Sequence, residues 1–74
     1  MQTGSTVVLT REVPEYGLRE GDIGTIVFVW VPGESCEVEF STLTGRPVAA
    51  LALQAADLRP VAEGEIASAR KIGA

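Results

Sequence analysis

Apolar residues fall in short blocks along this chain, and glycine or proline stands between most of them. The first block, Thr6 to Arg11, predicts a strand, and the polar stretch "EVPEYGLREGD" predicts a long loop after it. Ile23 to Val31 is a second, longer strand, closed by a turn at Pro32-Gly33-Glu34. Cys36 to Ser41 alternates cleanly: Cys36, Val38 and Phe40 face one way, Glu37 and Glu39 the other. "TLTGR" is the next turn, Pro47 to Leu53 a fourth strand, "QAADL" one helical turn, and Arg59 to Val61 a short closing strand. Blocks rich in Val, Ile, Thr and Phe at this spacing predict an all-β barrel or sandwich of five strands.

The run "GLREGDIGTIVFVW" departs from alternation, because Ile23 to Val31 is apolar on both sides. In a small barrel a strand that bends between two sheets can bury both faces, and glycine eases the corner. Gly21 and Gly24 stand where such a bend would begin. A phosphate cradle would need its glycines to lead into a helix with a lysine close by. Here they lead into β-branched residues, and no lysine is near.

The end of the chain reads differently. "AEGEIASARKIGA" contains helix-favouring Ala, Glu, Arg and Lys, but Gly64 and Gly73 limit a helix there. Residues 1–61 are therefore expected to form the barrel domain. Residues 62–74 are expected to be a tail that is helical, disordered, or ordered by a partner.

Composition narrows the chemistry. The chain has 74 residues, net charge −4, one cysteine and no histidine. Histidine is the commonest general base and the commonest metal ligand, and a lone cysteine forms no internal disulfide. No catalytic, metal or cofactor residues are expected. The longest apolar run is far too short for a membrane span, and the first residues do not resemble a secretory leader, so the expected location is cytoplasmic. Four arginines face eight acids across residues 1–61. That balance speaks against nucleic-acid binding, which depends on neutralising phosphates.

Three groups of residues invite a chemical reading. Glu37 and Glu39 lie about 7 Å apart on one strand face. Opposite a core-facing set they are expected to be a solvated surface with no acid–base role. Cys36 has acidic neighbours in Glu34 and Glu37, which disfavour a reactive thiolate, and it is assigned to the core. Trp30 is assigned to packing in the core or at its rim; exposed, it would be the first candidate for an interface anchor. Arg59 is expected to pair with Asp57 or another carboxylate.

"TVVLTREVPEYGLREGDIGTIVFVW", "CEVEF", "TGRPVAALAL" and "ADLRPV" together resemble the bacterial family catalogued as domain of unknown function 4926. The resemblance covers residues 6–61. It implies a small five-stranded SH3-like barrel, which agrees with the strands and the helical turn before the last strand read above. It brings no catalytic residues, and it implies a free-standing binding protein, antitoxin-like or immunity-like, that pairs with the product of an adjacent gene. A second resemblance, to the type II dihydrofolate reductases, rests on "GTIVFVW". Those proteins build a pore as tetramers, but "VAALAL" at 48–53 lacks the polar groups that would hold a folate or nicotinamide.

The expected function is thus a non-enzymatic protein-binding module. Its surface is the loop Glu12 to Asp22, with Glu15, Tyr16, Leu18 and Glu20, and Trp30 at the rim. The acids would suit a basic partner. The alternative is a homo-oligomer with a ligand or active site at the subunit interface. An apolar fourth strand rich in alanine would permit close self-packing. A nucleic-acid-binding barrel ranks last.

Overall fold

Five strands form where the apolar blocks predict them. A computed structural model describes residues 1–73. Its strands are β1 (Thr6–Leu9), β2 (Ile23–Val31), β3 (Ser35–Ser41), β4 (Pro47–Gln54) and β5 (Leu58–Pro60). All pair antiparallel in one sheet of order β4-β3-β2-β1-β5. Inward side chains of every strand meet in one core, so the sheet wraps into a barrel-like globule. Leu9, Ile26, Cys36 and Val38 are its most deeply buried members. The alternation of β3 is observed as expected: Cys36, Val38 and Phe40 are buried, and Glu37 and Glu39 are not.

The strand ends have local causes. β1 stops at Leu9 and not at Arg11, and Thr10 carries the β1–β5 register one step farther, opposite Asp57. Its amide donates to Asp57 O at 2.9 Å, and its hydroxyl donates to Ala56 O at 2.9 Å. The turn expected at "QAADL" is a 3-10 turn, Ala55–Asp57, held by a capping box in which the Gln54 amide donates to Asp57 Oδ2 at 3.0 Å. The long loop holds a second 3-10 turn, Pro14–Tyr16, which ends on Gly17 at φ 70°. Proline presets its first position, and glycine carries the left-handed exit without a Cβ penalty. Val13 and Leu18 bridge across this turn and both are buried, which pins the loop to the core.

Gly24 serves a different purpose from the corner expected of it. A Cβ there would meet Val38 Cγ1 at 2.6 Å and Phe40 Cε2 at 2.8 Å. Only glycine lets β2 pass this close to the β3 side chains.

The tail runs back over the barrel without forming a helix in residues 62–73. Gly64 and Gly73 both take positive φ there. Arg59 makes a two-pronged pair with Glu65, at 2.8 and 2.7 Å, and the Ala62 amide donates to the same carboxylate. Asp57 pairs instead with Arg11, at 2.8 Å. Farther on, Ile72 packs against the core. Among the described residues no helix is long and apolar enough to cross a membrane.

Candidate interaction surface

The aromatic residues of β2 lie outside the barrel, and the first of two irregularities in its pairing puts them there. Ile26 pairs with Val38, but Phe28 pairs with Glu37 and Val29 with Cys36, so Val27 is an extra residue. Val31 then pairs with Ser35, which makes Trp30 a second extra residue. In an unbroken ladder Ile26, Phe28 and Trp30 would share the inward face. The first bulge shifts the parity by one residue, which turns Phe28 outward beside Glu37, Val29 inward opposite Cys36 and Trp30 outward; the second, at Trp30, then turns Val31 out as well. Bulges commonly re-aim side chains in this way.

This corrects the expectation that β2 buries both faces and that Trp30 packs in the core or at its rim. Phe28 is 51% exposed and Trp30 57%. Their rings meet edge to face, centroids 4.6 Å apart at 66°. The indole Nε1 of Trp30 donates to Glu37 Oε1 at 3.0 Å. That bond ties the polar end of the indole to β3 and leaves most of the ring open. The register places Thr25 opposite Glu39, and Ala50 and Ala52 opposite Glu39 and Glu37. The outer face is therefore an aromatic pair, two carboxylates and a smooth alanine surface.

The loop residues named from sequence occupy a different region. Tyr16 is half exposed, and Glu15 and Glu20 are exposed, but Leu18 is 3% exposed and belongs to the core. Its burial follows from the bridge to Val13, which turns an isolated apolar residue in a polar stretch inward. Trp30 is not at the rim of this loop. The loop joins β2 at Ile23, and at ~3.3 Å per residue Trp30 stands roughly 20 Å farther along the strand. Phe28, absent from the sequence-derived surface, is the residue that Trp30 contacts.

Cys36 is fully buried, with its Sγ 3.7 Å from Met1 Sδ. Burial pushes its thiol up, the N-terminal amino group opposes this, and Glu37 adds to it. The assignment to the core holds. Among the described residues no three His, Cys, Asp or Glu side chains gather as metal ligands.

One polar cluster was not expected. The guanidinium of Arg70 donates to both oxygens of Asp22, with Nε to Oδ1 at 3.1 Å, and to Gly17 O at 3.1 Å. Asp22 also accepts from the Arg19 amide at 2.7 Å. Burial pushes the Asp22 carboxyl up, but the Arg70 bond, the Arg19 amide and both positive charges outweigh it and hold it below its ordinary value.

Fold and surface define a small all-β barrel-like protein with an outward aromatic pair. The family model described as "Domain of unknown function (DUF4926)" matches residues 5–60, and the chain belongs to that family. No curated protein and no solved structure is matched by the chain. Residues 61–73, including Arg70 and Ile72, lie outside the matched part.

Proposed function

We propose that this chain is a non-enzymatic protein-binding module that docks its partner on the outer face of β2 and β3. The observation that carries this reading is the bulge at Val27 that turns Phe28 and Trp30 outward. Solvated aromatic rings forgo the burial that would stabilise the fold, and aromatic side chains with one tethered polar end make strong interface anchors. Glu37 and Glu39 flank the pair, so a partner with lysine or arginine around an apolar pocket is favoured. An antitoxin-like, immunity-like or accessory role in the cytoplasm fits such a module.

The test is co-expression of the tagged chain with the product of its neighbouring gene. The wild-type chain should elute with it as one complex, and the Phe28→Ser/Trp30→Ser variant should elute alone. A complex that survives both substitutions would remove this face from the assignment.

Self-assembly is a second reading, favoured by the open edge of β4. The Ala55 amide donates to Glu34 O, and the parity of the antiparallel ladder then turns the amides and carbonyls of Ala50 and Ala52 away from β3. β4 carries no charged residue, and Pro47 stands only at its start. Edges are usually blunted by charge, proline or a covering segment. An antiparallel β4–β4 pair would join two copies and could place a ligand site between them. A mass that stays monomeric up to high concentration excludes it.

A further inference from the structure

The loop Glu12 to Asp22 already holds a peptide segment, and that segment belongs to the chain itself. Arg70 reaches the Asp22 carboxylate and the Gly17 carbonyl. Two residues on, Ile72 packs on the core, and a Cβ added to Gly17 would meet its Cγ1 at 3.4 Å. Lys71 between them is exposed and makes no hydrogen bond or ion pair among the described residues. Alternate side chains are engaged and the middle one is free, and the chain turns at Ile72-Gly73.

The two sides of this contact differ in origin. Gly17, Leu18 and Asp22 all lie within the family-matched residues 5–60, whereas Arg70 and Ile72 lie beyond them. Beside the seated segment a hollow of about 170 Å³ stays open, lined by Glu12, Pro14, Gly17, Leu18 and Arg19 of the loop and by Arg70 and Gly73 of the tail. The receiving side is acidic: Glu12, Glu15, Glu20 and Asp22 stand against Arg19 alone.

We infer that this loop is a binding site for a short Arg-x-aliphatic segment of a partner protein, and that residues 70–72 are its tethered competitor. Asp22 and the Gly17 carbonyl take the guanidinium, as a planar fork favours a carboxylate and a carbonyl side by side. The surface over Gly17 takes the aliphatic side chain, and the middle residue is unrestricted. This inference does not rest on the Phe28–Trp30 face, which lies at the far end of β2, so the two can fail separately.

The experiment uses the full chain with Arg70→Ala and Ile72→Ala, which empties the site. The probe is a capped hexapeptide of sequence Ser-Ala-Arg-Lys-Ile-Gly, titrated while backbone amide shifts are followed by NMR. The vacated chain should show saturable shifts at Gly17, Leu18, Arg19 and Asp22. The wild-type chain should bind about fivefold or more weakly, since a short tether holds its own segment at an effective concentration in the millimolar range. A peptide with alanine for its arginine should not bind, one with alanine for its lysine should, and Asp22→Asn in the vacated chain should abolish binding. Absence of saturable shifts, or equal binding of the arginine-free peptide, overturns the proposal. Should the double variant not fold, the single Arg70→Ala chain is titrated and judged by the same two criteria. A wild-type chain whose mass doubles with concentration while the tail contacts persist would assign the site to a second copy's tail and also overturn it.

Discussion

Replacing Gly24 by alanine tests the packing of the barrel where it is tightest. The added Cβ would stand 2.6 Å from Val38 Cγ1 and 2.8 Å from Phe40 Cε2. Ordinary carbon contacts lie near 3.5–4.0 Å, so both neighbours would have to withdraw by about 1 Å. Neither has room, since Val38 is fully buried and Phe40 is 2% exposed. Overpacking of this kind costs about 1–3 kcal/mol. Against it stands a gain of about 0.4–1 kcal/mol, because alanine restricts the unfolded chain more than glycine does. The backbone at Gly24 has no positive φ to be strained, so the net loss is about 1–1.5 kcal/mol. For a domain of this size that lowers Tm by roughly 5–10 °C, and in urea it lowers the midpoint by about 1 M. Far-UV circular dichroism reads both. The pair Gly24→Ala with Val38→Ala should cost less than the sum of the single changes, because Val38 Cγ1 is the nearest obstacle. A neutral or stabilising Gly24→Ala, or strict additivity in the pair, would refute the close-approach argument.

Three further outcomes follow from the same geometry. Arg59, then the Ala62 amide, hold the Glu65 carboxyl at about 2, below its ordinary 4.5. A depressed carboxyl stabilises above its unfolded pKa and loses that contribution as pH falls through the folded one, so the pair's contribution should fade between about 4.5 and about 2, and NMR titration of the folded chain should find the Arg59–Glu65 tether released with a midpoint at about 2. High salt should weaken this exposed pair. Asp57→Ala should cost about 1 kcal/mol or more in chemical denaturation, and Arg11→Ala less, because Asp57 also caps the 3-10 turn through the Gln54 amide. Trp30→Ala should change stability by about 1 kcal/mol or less, yet weaken a partner that docks on this face by 2 kcal/mol or more, about 30-fold in Kd, as measured by calorimetry.

The strands were largely legible in the sequence, and the surfaces less so. Cys36, Val38 and Phe40 announce their strand and its buried face by strict alternation, and Pro32-Gly33 and Gly45 mark the turns beside it. β2 was legible as a strand but not in its facing. Its bulged residues, Val27 and Trp30, carry no glycine or other local mark, and in an all-apolar run nothing distinguishes one parity from the other. The inner and outer faces are set by register against β3, which is a tertiary property. Leu18 was misplaced for a related reason: one apolar residue in a polar loop turns inward only because Val13 is there to meet it. The contact of Arg70 with Asp22 and Gly17 spans 48 and 53 residues of chain, and no local pattern reports a pairing at such separation.

Trp30 is the only tryptophan of the chain, so its emission reports on the proposed docking face without labels. The central claim is that the bulge at Val27 turns this ring out of the barrel and leaves it open to a partner. In the folded, free chain its fluorescence should be red-shifted and readily quenched by acrylamide, and co-purified partner should shift the emission to the blue and protect it from the quencher. A blue-shifted, quencher-resistant Trp30 in the free folded chain, or an emission that a bound partner leaves untouched, would contradict that claim.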